Sequence, residues 1–287
     1  MMEKLVREMV FGKDKKNTEK KIKRLAKKNE IWLASTQRLY ENIARGENKG
    51  FTVPALNIRT VTFDVARAVF RAVKKEKVGA FIFELARSEI SYTKQSPEEY
   101  IAVILGAAIR EGFKGPLFFQ GDHFQINSKR YLSPTWKTKE LKELKNLIRK
   151  AIKAGFYNID IDCSTLKPLK ENFSLTAKLT SFIRKIEPKK LTISIGGEVG
   201  EIGDKDTTVK EIKIFMDGYK KALSQYGNLT GLSKVAVQAR TVHGGILLAS
   251  GKLKKIRGDF SILKKLSQEA RKYKTAGIVQ HGASTLP

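Results

Sequence analysis

Ala80-Phe81-Ile82-Phe83-Glu84-Leu85 and Lys234-Val235-Ala236-Val237-Gln238-Ala239 are short, nearly continuous apolar runs without strict alternation of apolar and polar residues. A strand with one wet face alternates, whereas a strand covered on both faces does not. Strands of the second kind belong to parallel sheets, whose connections carry helices. Five more runs read the same way, at residues 51–57, 116–121, 158–163, 191–196 and 277–280. Between the runs, apolar residues recur at helical spacing over 61–76, 97–111, 138–154, 174–186, 208–226 and 260–274. A strand every 30 to 40 residues, roughly, is the rhythm of repeated βα units. That rhythm fits either a doubly wound open sheet or a barrel, and the expected α/β fold is the stronger of the two, a (β/α)8 TIM barrel with seven strands visible. The sequence stops at Pro287, soon after the seventh run, so the barrel is expected to be incomplete at its C-terminus.

Residues 1–50 stand outside this repeat. Ile22, Leu25, Ala26, Ile31, Leu33, Leu39, Tyr40 and Ile43 fall at roughly helical intervals, predicting one or two helices across 18–45. The expected organisation is a lysine-rich helical extension, 1–50, followed by a barrel domain, 51–287. An open barrel edge of this kind favours association, so a homo-oligomer is expected.

Several classes lose their usual support. No Gly-rich dinucleotide fingerprint follows the first strand, where Ala55-Leu56-Asn57-Ile58-Arg59 stands, and no phosphate-cradling G-x-x-x-x-G-K-[ST] occurs. No apolar stretch is long enough to span a bilayer and no secretory leader is recognisable, so no membrane partner and a cytoplasmic setting are expected. Cys163 is the single cysteine, which removes a disulfide framework and any multi-cysteine metal site. With 56 Lys+Arg against 29 Asp+Glu the chain carries a formal charge of +27. Such a charge suits phosphate-bearing partners. The lysines nevertheless recur in nearly every helix-like segment, and no basic-aromatic or Cys/His recognition pattern accompanies them, which favours a solvated basic surface over a nucleic-acid partner.

The three histidines decide more. His123 follows the third strand candidate, His243 the sixth and His281 the seventh. In a βα barrel the loops beyond the C-terminal strand ends line one mouth, so three imidazoles at that topological position form the core of a zinc site. Carboxylates share the rim. Asp122 adjoins His123, Asp162 closes the fourth strand, and Glu198 follows the fifth. A carboxylate beside a metal-polarised carbonyl can move a proton on the adjacent carbon, the requirement for an enediolate. Asp162 reads alternatively as a helix cap, and Glu198 as an exposed loop acid. Gly244-Gly245 and Gly282-Ala283-Ser284 let backbone amides approach an anion. A Schiff-base aldolase would instead need a desolvated lysine inside a strand; none is expected, and the sixth strand runs out at Arg240.

Phe51-Thr52-Val53-Pro54-Ala55-Leu56-Asn57, Gly121-Asp122-His123, Ile161-Asp162-Cys163-Ser164, Gly197-Glu198-Val199-Gly200-Glu201-Ile202-Gly203, Val242-His243-Gly244 and His281-Gly282-Ala283-Ser284 together resemble the class II, metal-dependent fructose-bisphosphate aldolase family. The resemblance implies that His123, His243 and His281 bind a catalytic zinc, with Glu198 an auxiliary or alternative ligand, and that Asp122 transfers the proton. It further implies that Gly244, Gly282, Ser284 and Asn57 hold substrate and its phosphate, near a monovalent cation, and that residues 202–208 form a mobile loop with Asp206 its acid. The implied activity is a lyase of glycolysis or gluconeogenesis, cleaving a ketose bisphosphate, foremost fructose 1,6-bisphosphate, through a zinc-stabilised enediolate. Departures are Ala86 where the family usually has serine, with Arg87 and Ser88 as substitutes; Ala283 and Thr285 in place of glycines; and Leu247-Leu248 where a lysine is common. Three rivals accompany this reading: another zinc-dependent barrel enzyme, a non-catalytic aldolase-like subunit, and a basic nucleic-acid binder.

Overall fold

The computed structural model describes residues 1–200, 206–239, 248, 250–251 and 260–281. In chain order the elements are α1 (Met2–Phe11), α2 (Lys15–Lys28), β1 (Ile31–Ala34), α3 (Gln37–Ala44), β2 (Ala55–Asn57), α4 (Thr62–Lys75), β3 (Ile82–Ala86), α5 (Arg87–Thr93), α6 (Pro97–Arg110), β4 (Gly115–Gln125), α7 (Ser128–Leu132), α8 (Lys137–Ala154), β5 (Asn158–Asp162), α9 (Leu169–Ile186), β6 (Ser194–Glu198), α10 (Val209–Ser224), β7 (Lys234–Val237), α11 (Phe260–Arg271) and β8 (Ile278–Gln280). The strands are hydrogen-bonded in the order β2-β3-β4-β5-β6-β7-β8, with β1 added to β4 off this path. All seven runs read from the sequence are strands, and a helix occupies each of the six gaps between them. The molecule has an α/β fold of parallel strands. Two compact units divide it, one of Met1–Thr36, Gly50–Phe124 and Asn146–Ile159, the other of Gln37–Lys49, Gln125–Lys145 and Asp160–Pro287.

In the first unit, β3 pairs in parallel with β2 on one side and β4 on the other. Every residue of β3 is buried, as a strand covered on both faces requires. Its core is aromatic: Phe70, Phe81, Phe83, Phe113, Phe119, Phe156 and Tyr100 form a chain of contacts with centroid separations from 5.1 to 6.3 Å. The Tyr100 hydroxyl donates to the Glu84 carbonyl at 2.7 Å, so the ring enters the core with its polar end satisfied.

One expectation for the N-terminal segment fails. Ile31–Ala34 is not helical; it is β1, parallel to β4 in the register Ile31↔Gly115 through Ala34↔Phe118. The apparent helical spacing over 18–45 ran across α2, a strand and α3. The break was set locally, because Glu30 takes a left-handed φ of 58° directly after α2 and redirects the chain. Asn158 completes the joint. Its side-chain oxygen accepts from both the amide and the hydroxyl of Thr36 at 2.8 Å, and its amide donates to the Phe119 carbonyl at 2.9 Å.

The N-terminal helices also account for α6, which is buried nearly all round, from Tyr100 to Ala108. α1 and α2 lie on it, as does α4. α2 turns Thr18, Ile22 and Ala26 inward and leaves all its lysines but the half-buried Lys23 exposed, so its strong charge is that of a one-sided helix.

The second unit repeats the arrangement with β6 paired to β7 and β7 to β8, all parallel. α9 packs on α10, and α10 on α11. Thr208 starts α10: its hydroxyl accepts the Glu211 amide at 3.1 Å while the Glu211 carboxylate accepts the Thr208 amide at 2.8 Å. Arg184 binds α9 to the following loops through the carbonyls of Ile193, at 2.8 Å, and Thr230, at 2.7 Å.

Gly106 in α6 tests how closely α1 is seated. A Cβ there would lie 2.6 Å from Val6 Cγ2 of α1. Alanine normally gains about 1 kcal/mol over glycine inside a helix, but a β-branched neighbour is stiff and overpacking costs about 1–3 kcal/mol. Gly106→Ala is expected to destabilise the protein by about 1 kcal/mol in urea titration, and adding Val6→Ala to give a positive coupling between the two sites.

Candidate functional site

The first unit places its chemistry at the C-terminal ends of β2, β3 and β4. Register sets Asn57 against Glu84 and Ala86 against Asp122, and the Asn57 amide donates to Asp122 Oδ2 at 3.0 Å. The same nitrogen donates to Glu89 Oε2 at 3.1 Å. Glu89, in the first turn of α5, is buried; it also accepts the Ala86 amide at 2.9 Å and meets Arg59 Nε at 2.7 Å through its other oxygen. Ala86 is buried at the end of β3.

Asp122 and His123 were expected just past a strand. They lie inside it, because β4 continues to Gln125. An extended strand would send adjacent side chains to opposite faces. His123 interrupts that alternation with a φ of 40°, a left-handed conformation that is costly for a residue with a side chain. Its Nε2 lies 3.7 Å from Asp122 Oδ1. Glu84 and Gln120, on the same side of their strands as Asp122, are joined by a hydrogen bond, and Glu84 and Asp122 bring carboxylate oxygens within 4.8 Å of one another.

The second unit places His281 directly after β8, with its Nε2 at 2.9 and 3.1 Å from the two oxygens of Glu198 at the end of β6. Glu198 is no exposed loop acid: it is buried, and Asn172 of α9 donates to its carbonyl at 2.9 Å. Asp162 shapes the turn after β5, accepting from the Ser164 amide at 3.0 Å and hydroxyl at 2.7 Å, and from Gln125 at 2.7 Å. It caps no helix, since α9 begins only at Leu169 with Pro168 before it; its bonds support the turn. His243, Gly244, Gly282 and Ser284 lie outside the described residues, as do residues 202–205 of the expected mobile loop. The last part of that loop is anchored: Thr207 is buried, its amide donates to the Gln238 carbonyl at 2.8 Å, and its hydroxyl accepts the Gln238 amide at 3.0 Å.

The second unit also buries a lysine with an acid. Lys234, only 3 % exposed at the first position of β7, donates to both Asp160 oxygens at 2.6 Å. Asp160 reaches it across Gly196, where a Cβ would lie 2.2 Å from Asp160 Oδ1. The expectation that no strand carries a desolvated lysine is thus corrected: β7 includes one, and it is held in a buried ion pair with Asp160. Cys163 is buried, which pushes its thiol well above the ordinary range and leaves it inert as a nucleophile.

The chain matches the family model described as fructose-bisphosphate aldolase class-II over residues 37–287. No curated protein matches. Among solved structures, it is similar to one described as a probable tagatose 6 phosphate kinase from Sinorhizobium meliloti 1021, with 16% identity and a TM-score of 0.61 over 80% of this chain and 58% of that one. It is also similar to glycerol-complexed fructuronate-tagaturonate epimerase UxaE from Cohnella laeviribosi, with 12% identity and a TM-score of 0.51 over 82% of this chain and 53% of that one. The chain thus spans little more than half the length of these structures, and at such identities the likeness is one of fold.

The Asp160–Lys234 pair gives a direct test of the second unit. Asp160→Asn and Lys234→Met, each leaving a partner buried alone, are expected to cost about 3–5 kcal/mol. The double substitution should cost less than the sum, measured by urea unfolding as a double-mutant cycle.

Proposed function

The chain belongs to the class-II fructose-bisphosphate aldolase family, and from that membership we propose that it is a metal-dependent lyase. Its reaction in this reading is the reversible cleavage of a ketose bisphosphate, foremost fructose 1,6-bisphosphate, to dihydroxyacetone phosphate and an aldehyde phosphate. The observation that carries the reading is the His281 ring seated on the buried Glu198 carboxylate. A part-buried imidazole seated on a buried carboxylate at strand ends is a donor set of the kind zinc takes, so these residues fit the metal.

His123, His243 and His281 are the proposed ligands, with Glu198 auxiliary to them. A divalent metal, when bound, polarises the substrate carbonyl and eases proton loss from the neighbouring carbon. Asp122 moves that proton: in the cleavage direction it returns it to the carbon that has lost its bond to the aldehyde, and in condensation it takes it. Asn57 occupies one oxygen of Asp122 and so fixes the carboxylate. Gly244, Gly282 and Ser284 are the proposed phosphate contacts, through backbone amides near a monovalent cation; Asn57, whose amide donates to Asp122 and Glu89, is a proposed substrate contact through its side-chain oxygen only. The charge of +27 draws a bisphosphate toward the protein from a distance, an effect that weakens with salt. The reading includes a TIM-barrel-like domain over 51–287, to whose sheet β1 adds a strand from the N-terminal segment, a homodimer or homotetramer, and a cytoplasmic setting.

Cleavage of fructose 1,6-bisphosphate by the purified chain, with added zinc and with EDTA, tests this. Activity should require metal. His281→Ala is expected to lose both zinc and turnover, whereas Asp122→Asn should keep zinc and lose about 10²–10⁴-fold in kcat. Stoichiometric zinc with no cleavage of any ketose phosphate would reject the aldolase reading and leave another metal-dependent barrel enzyme or a non-catalytic aldolase-like subunit.

A further inference from the structure

Glu89 has no part in the proposed chemistry, yet it is one of the few carboxylates the fold buries, with its side chain 4% exposed. Burying a carboxylate is expensive unless every lone pair is engaged. Its engagements are specific. Oε2 accepts from the Ala86 amide at 2.9 Å and from Asn57 Nδ2 at 3.1 Å, while Oε1 meets Arg59 Nε at 2.7 Å. The Ala86 bond ties the acid to the end of β3, Asn57 belongs to the end of β2, and Arg59 brings the compensating charge from a half-exposed side chain.

The consequence lies in the Asn57 amide. Its nitrogen has two hydrogens, and two carboxylates claim them: Glu89 Oε2 at 3.1 Å and Asp122 Oδ2 at 3.0 Å. Two acceptors facing one amide nitrogen settle which end of the side chain is nitrogen. Rotated by a half turn, Asn57 would present its carbonyl oxygen to both acids. With Glu89 in place that orientation is closed, and Asp122 has a permanent donor on Oδ2, so its other oxygen is the one left to handle a proton.

We propose that Glu89 is a positioning residue for Asp122, acting through Asn57, with Arg59 neutralising the charge that this arrangement buries. The proposal rests on the aldolase reading for its kinetic consequence, but the geometric link from Glu89 to Asn57 stands apart from it. Glutamine at 89 cannot reproduce the contacts. If its oxygen serves Ala86 and Asn57, its NH₂ faces the Arg59 guanidinium; if it turns over, its NH₂ faces that of Asn57.

The test is Glu89→Gln in the metal-loaded full chain, with Glu89→Asp and Arg59→Lys alongside. Three quantities are read: kcat and KM, bound zinc, and the side-chain NH₂ resonances of Asn57 in asparagine-labelled protein, identified by their loss in Asn57→Ser. Glu89→Gln should lower kcat at least tenfold with KM changed less than about threefold and zinc stoichiometry unchanged, and should shift the Asn57 NH₂ pair and speed its exchange with solvent. Glu89→Asp should recover part of kcat. A purely structural acid would instead lower thermal stability and zinc content together with kcat. Wild-type kcat in Glu89→Gln overturns the proposal. So does an unmoved Asn57 NH₂ pair, whether or not the wild type cleaves any sugar phosphate. A shifted pair in a protein without cleavage upholds the link from Glu89 to Asn57 and counts against the aldolase reading alone.

Discussion

A buried parallel strand must have its backbone bonded along both edges, and β4 meets that demand with a change of partner partway along one of them. β3 covers the stretch from Phe118 to Asp122 on one edge. β1 pairs only with Gly115 to Phe118. Just beyond, the Phe119 carbonyl is taken by the side chain of Asn158 at the first position of β5. Without that amide, β1 would end beside an unsatisfied carbonyl inside an aromatic core, a cost of about 1–3 kcal/mol. The same asparagine accepts two bonds from Thr36, so the exit from β1 and the entry to β5 are fixed at one buried point. Asp122 and His123 lie a few residues further along β4 and inherit their positions from this joint.

The chemistry sits where the regular lattice gives way. His123 spends backbone strain to leave the pleat. Glu198 and His281 meet at the ends of β6 and β8, strands separated by β7, and Asn172 holds the Glu198 backbone from the helix side. In both units a strand-end acid is steadied by an asparagine from another element: Asn57 donates to the Asp122 side chain, and Asn172 to the Glu198 carbonyl. Such amides restrict motion without adding charge, which suits groups that must present a defined lone pair.

How much of this was legible depended on the range of the signal. The seven strand runs and six helix gaps were readable because burial on both faces and helical periodicity are written within single segments. β1 was not, since its four residues fall between two amphipathic helices whose phases merge when counted together. Asp122, Glu198 and the histidines could be singled out because chemistry at strand ends is a topological regularity. Glu89 could not, as its meaning depends on Asn57 and Arg59, some thirty positions earlier. Lys234 was hidden by its place at a strand start, and its partner Asp160 by the apolar Ile159 and Ile161 that flank it.

The bridge from Asp160 over Gly196 to Lys234 has a bearing on how such a chain can change. Any side chain at Gly196 displaces the acid, loss of the acid strands the lysine, and a neutral residue in place of the lysine strands the acid. No member can drift alone without passing through a weakened protein, so the three positions are inherited as a single character, kept or replaced together. Sequences descended from a common ancestor with this one should therefore sort into two groups at 160, 196 and 234, with few mixtures between them.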